Sequence, residues 1–218
     1  MIKTSDDGSH TVVSEKFQVT YHSIHGAITE SKVVFIEAGL EYLYQSKKNN
    51  ISVFEMGFGT GLNAFMTALW AEEKDVNLSY TGIEAYPIME DNFRQLNFAD
   101  FLGSKDLFLK IHHAPWNQKV TLSPHFNVQK IETKLQDYKN DDLYDVIFYD
   151  AFGPGAQQEL WEAVMMDKMF KILSPGGLLV TYCAQGQFRR NLKQAGFTVE
   201  KIPGPPGKRE MTRALKPE

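Results

Sequence analysis

The segment VFEMGFGTGLNAFM, residues 53–66, sets Gly57, Gly59 and Gly61 between a short apolar run and an amphipathic one. Glycine weakens strands and helices alike, so three within five residues mark a backbone that something must approach closely. ISVFEM (51–56) reads as a buried strand ending at the glycines. LNAFMTALWAEE (62–73) reads as a helix, with Leu62, Phe65, Met66, Leu69 and Trp70 at helical spacing. The alternation continues downstream. Strands are predicted at 78–84, 125–132, 144–150 and in LLVTYCA and FTVEKI. Helices are predicted at 87–98, at 158–173 and in QFRRNLKQAG, which Gly196 ends. Strands alternating with helices give a doubly wound, mostly parallel sheet. Ligands of such sheets bind outside the carboxyl ends of the strands.

Residues 1 to about 45 break the alternation. FQVTYHS and KVVFIEAG read as two strands of a hairpin. The expected organisation is an N-terminal β-extension, residues 1–48, packed on a core of residues 49–218. The N-terminus is polar and acidic, and no apolar run reaches bilayer length, so a soluble cytoplasmic protein without membrane contact is expected. Cys183 is the single cysteine and reads as a buried strand residue, a nucleophile being the alternative. Residues 189–218 carry eight Lys or Arg against three acids, whereas the remaining chain carries fifteen against twenty-four. That basic stretch is either a phosphate-binding face or a solvated tail and helix face.

The glycine spacing is not that of the dinucleotide fingerprint, and a phosphate-binding loop would need Lys where Leu62 stands. Glu55 just before the glycines suits a cation and not a pyrophosphate. The pattern E-x-G-x-G-x-G resembles the loop of S-adenosylmethionine (AdoMet) methyltransferases, whose cofactor carries a sulfonium and an ammonium. Glu84 ends the next strand, where an acid can bind ribose hydroxyls. Glu132 ends the one after, placed to accept from an adenine amino group. The expected cofactor set is Glu55, Gly57, Phe58, Gly59, Thr60, Gly61, Asn63, Glu84, Glu132 and Asp150. His112 and His113 sit in a segment read as extended, where neighbours point to opposite faces, so no metal site is expected.

Four stretches, EMGFGTGLN, YDAFGPGAQQELW, SPGGLLVTYCAQGQFRRNLKQAGF and GKREM, follow one another in this order. With YHSIHGAITESKVVFIEAGL near the start, they resemble the methyltransferase part of the bacterial tRNA 5-methylaminomethyl-2-thiouridine biosynthesis proteins, over roughly residues 17–213. The resemblance implies a Rossmann-like class I AdoMet-dependent methyltransferase fold with an N-terminal β-hairpin extension. It implies methyl transfer to the primary amine of 5-aminomethyl(-2-thio)uridine at the tRNA wobble position. The chain holds no second glycine-rich dinucleotide motif, so it is expected to act without a flavin, with a separate FAD-dependent oxidase as a candidate partner.

Under that reading Asp150 hydrogen-bonds the amine and takes its proton, capping of the next helix being its alternative role. Phe152 and Pro154 are candidates for an apolar wall against a flipped-out base. Tyr21, Glu30 and Ser31 are candidates to cover the substrate pocket, ordinary packing being the alternative. Arg189, Arg190, Lys193, Lys208 and Arg209 are candidate phosphate contacts. Two other functions stay open: an AdoMet-dependent methyltransferase of a small-molecule or protein amine, and a non-catalytic tRNA-binding module.

Overall fold

The structure is a computed structural model that describes residues 1–46, 49–139 and 141–218. The boundary expected at 48/49 therefore falls at the edge of residues 47 and 48, outside the described residues. Among the described residues the strands are β1 (Ile2–Thr4), β2 (His10–Val12), β3 (Asn50–Met56), β4 (Asn77–Glu84), β5 (Lys119–Ser123), β6 (Phe126–Glu132), β7 (Tyr144–Tyr149), β8 (Leu173–Thr181), β9 (Thr198–Pro203) and β10 (Glu210–Leu215). Eight of them form one sheet in the order β5-β6-β4-β3-β7-β8-β10-β9. The five central strands are parallel, and β5, β10 and β9 join antiparallel at the two edges. The doubly wound α/β expectation is borne out.

Alternate residues of the central strands enter two separate apolar clusters. Val53, Val146, Phe148 and Val180 face one side, and Phe54, Ile147, Tyr149 and Leu179 face the other. Burial on both faces is why these strands read as continuous apolar runs. The helix Leu62–Lys74 covers the first face, and the helices Ala163–Ile172 and Gly186–Gln194 cover the second.

The N-terminal region differs from its sequence reading. A hairpin exists, but it is β1 with β2, registered Ile2↔Val12 to Thr4↔His10. KVVFIEAG is helical: Ala27–Ser31 runs into a wider-wound stretch, Lys32–Glu41, and on to Tyr42–Tyr44. Its β-branched residues suggest a strand, but Val34, Phe35, Ile36, Ala38 and Leu40 are all buried, so packing overrides local preference. The helix sits down on the sheet at Gly39, where a Cβ would come within 3.2 Å of Phe148 and Val180 side chains.

Two predicted helices are broken. Pro87 to Met89 is not helical, and the chain forms only Glu90–Phe93 and then Phe98–Leu102. Between them the Asn97 side chain accepts from His10 N (2.7 Å) and donates to Gly8 O (3.0 Å), bonds that tie it to the N-terminal hairpin. The segment 158–173 is a single 3₁₀ turn, Gln158–Trp161, followed by Ala163–Ile172. Glu162 is extended between them, and the Trp161 carbonyl accepts from Asn191 instead of from a helical amide. SPGG, residues 174–177, whose Pro and Gly would be expected to stop the helix predicted before it, lies inside β8 at a register shift, and Cys183 falls just beyond that strand, buried. His112 and His113 end a helix, Lys105–His113, and not a strand.

Candidate active site

Each parallel strand of the centre delivers a loop to one end of the sheet, and a cavity of about 950 Å³, counting its open mouth, lies there. The glycine loop after β3 forms one wall. Gly57 has φ +93°, and a Cβ on it would lie 2.5 Å from the Asp150 carbonyl oxygen. Only glycine lets the β3 and β7 ends approach this closely. Gly59, at φ +49°, leaves room for the Tyr21 ring. The amides of Gly57 and Phe58 donate to the Ile83 carbonyl, so the loop is hung from the end of β4.

Glu84 binds this loop too. Its Oε2 accepts from Gly59 N and its Oε1 from Tyr86 N, both at 2.9 Å. Burial pushes its carboxyl above the usual carboxylate range, against the pull of those amides. Two acceptor oxygens with spare lone pairs remain suited to a pair of hydroxyls. Thr60 is held from both sides. Its hydroxyl meets His22 Nε2 at 2.6 Å, and its carbonyl accepts from His112 Nε2 at 3.0 Å. Burial holds both imidazoles far below the ordinary histidine range, His22 at about 4 and His112 at about 3, so both are neutral. His112 also stacks on Phe93, centroids 4.1 Å apart.

Asp150 follows β7 and lines the cavity. Burial first, and the Glu30 charge second, raise its carboxyl to about 7. Its Oδ2 accepts from Asn63 Nδ2 at 2.8 Å, and the same nitrogen donates to Glu55 Oε1 at 2.9 Å. The N-terminal segment closes the other side. Tyr21 and Phe17 pack on Phe152, with centroids 4.9 and 5.0 Å apart, and Phe17 also meets Tyr86. Thr133 to Gln136, after β6, complete the lining.

The cavity thus gathers Gly57, Phe58, Gly59, Thr60, Asn63, Glu84, Asp150, Tyr21 and Phe152. Others of the expected residues lie elsewhere. Glu55 is fully buried behind Asn63 and does not line the wall, and Gly61 lies below the loop against His112. Glu132 is exposed outside the lining: it is the register partner of Glu84 on the same face of the sheet but one strand further out, and the segment just after it, Thr133 to Gln136, turns in instead. Pro154 is outside the lining as well. Ser31 is buried in its helix, and Glu30, 6% exposed, is taken up by Ser23 N and the Lys208 ammonium. Arg189 is not a phosphate contact: it is buried, and its guanidinium donates to Thr212, Glu210 and the Met211 carbonyl, tying its helix to β10. Lys208 pairs with Glu30 and lies 3.9 Å from the Tyr182 ring centroid. Arg190, Lys193 and Arg209 are exposed. His22, Phe17 and Tyr86 escape a sequence reading, since their roles come from long-range contacts without local periodicity; Tyr86, two residues past Glu84, is the one with a usable signal.

A family model described as S-adenosyl-L-methionine-dependent methyltransferase matches residues 90–217. The chain belongs to this methyltransferase family. Its cofactor is AdoMet, and the donor set fits: a glycine cradle, carboxyls for a cationic ligand, and an acid at the end of β4. Two curated relatives carry the name tRNA 5-methylaminomethyl-2-thiouridine biosynthesis bifunctional protein MnmC. That of Aromatoleum aromaticum is 30% identical over 226 residues, 96% of this chain and 34% of the relative. That of Campylobacter hominis is 29% identical over 211 residues, 92% of this chain and 30% of the relative. The chain spans about a third of the length of these relatives. A crystal structure of MNMC2 from Aquifex aeolicus covers 100% of the chain, and 72% of its own, with a TM-score of 0.75 at 23% identity, which establishes the shared fold. The resemblance read from the motifs is borne out. No helix among the described residues is long and apolar enough to cross a membrane.

Proposed function

We propose that this methyltransferase acts on the primary amine of 5-aminomethyl(-2-thio)uridine at the wobble position of tRNA, giving 5-methylaminomethyl(-2-thio)uridine. The observation that carries the reading is Asp150, a carboxyl raised to about 7 and set in a cavity beside the aromatic rings of Phe17, Tyr21 and Phe152. The relatives' name supplies the substrate class. The cofactor supplies an electrophilic methyl group on a sulfonium. The glycine loop, Asn63 and Glu84 would hold it, with Glu84 on the ribose hydroxyls.

An amine attacks only through its lone pair, so an arriving ammonium must first lose a proton. Asp150 accepts that proton at its carboxylate. A base with a pKa near 7 does this better than an ordinary aspartate, because its proton affinity lies closer to that of the amine. Phe152 and Tyr21 exclude water and offer ring faces to a base turned out of its stack. Arg190, Lys193 and Arg209 form the exposed cationic group available to phosphates. The same reading takes residues 1–48 as an extension over a methyltransferase domain at 49–218. An FAD-dependent oxidase that removes a carboxymethyl group would supply the amine.

The test is to incubate the protein with AdoMet and tRNA carrying 5-aminomethyl(-2-thio)uridine, digest the RNA, and weigh the nucleosides. The expected product is the wobble nucleoside heavier by one methylene. Methylation of free amines with no change in tRNA would favour the small-molecule reading instead.

A further inference from the structure

Glu55 and Asp150 end neighbouring strands, β3 and β7, and share one donor. Asn63 Nδ2 spans them at 2.9 and 2.8 Å. Glu55 is 0% exposed, and its Oε2 has no well-formed hydrogen bond, although the Tyr80 hydroxyl lies close enough to oppose part of the upward shift of its carboxyl; the Asn63 Oδ1, equally buried, receives none either. The groups facing this pair are mostly acidic or neutral. Tyr80 faces Glu55 from β4, and Glu84 stands at that strand's end. Asp150 is faced by Glu30 from the N-terminal helix and by Tyr182 beyond β8. Among the described residues the one cation bearing on it, Lys208, is already paired with Glu30. With Glu55 fully buried, Asp150 half-buried at the cavity wall, one amide between them and no free cation beside them among the described residues, full charge on both carboxylates is disfavoured. Burial, and then the charge of Asp150, accordingly push Glu55 well above the carboxylate range.

We infer that Asn63 yokes Glu55 and Asp150 into a pair that keeps a proton at neutral pH until a cationic ligand occupies the cavity, and that the ligand's arrival expels this proton to solvent. The inference rests on the cofactor site proposed above. A positive group beside Asn63 and Asp150 supplies the missing counter-charge, so the second carboxyl ionises as the ligand binds. The proton leaves to the buffer, and no bond other than O–H changes. The order matters for chemistry: Asp150 becomes a competent proton acceptor only once the methyl donor is in place. Asn63 is then a positioning residue, acting through both carboxyls. The two groups titrate as a pair and not as independent acids.

The test is calorimetry of AdoMet binding near pH 7 in two buffers of different ionisation enthalpy. The parent should release between half and one proton per AdoMet bound, and Glu55→Gln less than half of the parent's count. Asn63→Ala removes the shared donor, so the pH of half-maximal release should move upward, whereas a merely structural role for Asn63 would weaken binding and leave that pH in place. The infrared spectrum of the unaltered protein gives a readout that needs no variant: a protonated-carboxyl band present at neutral pH and lost on adding AdoMet. Equal binding enthalpies in both buffers from pH 6 to 8, with no such band, would overturn the yoke while leaving the cofactor site standing. Absence of AdoMet binding in every buffer would overturn the site and the yoke with it.

Discussion

The strand-end loops and the N-terminal 46 residues meet around one cavity, and they are built in opposite ways. The loops are local. Gly57, Gly59 and Gly61 lie within five residues and fix the wall by their own backbone conformations, all at positive φ. The N-terminal segment has almost no regular structure before Ala27 and is held by side chains reaching far along the chain. Asp7 accepts from Ser5, from Ser9 N and Oγ, and from Thr29 N and Oγ1, so the β1–β2 turn satisfies the start of the helix Ala27–Ser31. Those bonds hold its carboxyl down at about 2, against the opposing effect of burial. His22 then reaches Thr60, and Tyr21 lies over Gly59. A wall made of backbone is sensitive to any added atom. A wall made of distant side chains is sensitive to the loss of one hub.

The sharpest way to break the first wall is Gly57→Ala. A Cβ 2.5 Å from a carbonyl oxygen, on a backbone at φ +93°, has nowhere to go. The expected loss is about 3 kcal/mol or more of unfolding free energy, by urea titration. Gly155→Ala, where nothing lies within 4 Å, is the control and should change stability by less than about 0.5 kcal/mol.

This contrast also explains what could be read from the sequence. The parallel strands, the glycine loop and the acids at strand ends depend on short periodic patterns, and those patterns carry through to β3, β4, β6, β7 and β8. KVVFIEAG does not carry through, because burial on nearly every side erases helical periodicity and leaves β-branched residues as the misleading signal. β10 is invisible in the sequence for the opposite reason: EMTRAL looks polar, yet its Thr212 is fully buried and receives the Arg189 side chain. A basic count likewise cannot tell Arg189 and Lys208, engaged by internal partners, from Arg190, Lys193 and Arg209. Glu132 shows the limit at the site itself: it ends its strand in register with Glu84, yet it lies one strand further from the cavity, and strand order is not written in a local pattern.

The second wall should fail at its hub. Asp7→Ala orphans the turn and the helix start together and should cost about 2 kcal/mol, measured by thermal unfolding. A smaller effect is proton-linked. His22 and His112 have folded-state values near 4 and 3 against 6.5 when unfolded. Depressed values mean that the stability they contribute is present above about pH 6.5 and is lost as pH falls toward those values. Each histidine contributes a slope of up to about 1.4 kcal/mol per pH unit in that window. His22→Gln should remove one share of the slope in urea titrations from pH 7 to pH 4, and an unchanged slope would mean that His22 is not held neutral. The mildest change to the fold is the triple replacement of Arg190, Lys193 and Arg209 by Glu. It should leave unfolding within about 0.5 kcal/mol. Under the tRNA reading it should also lower the magnitude of the salt slope of tRNA binding, by up to about 0.9 for each phosphate no longer neutralised.

Asp150 is where both walls meet, and its role as proton acceptor for the amine is the central claim. Single-turnover methyl transfer to tRNA bearing 5-aminomethyluridine, at saturating AdoMet across a pH series, tests this most directly. At saturating AdoMet the parent's rate should rise with pH through a midpoint below the value of about 7 that the ligand-free carboxyl has, and Asp150→Asn should bind AdoMet yet transfer methyl about 10²-fold more slowly or worse. Transfer by Asp150→Asn within a few-fold of the parent at every pH would contradict that role.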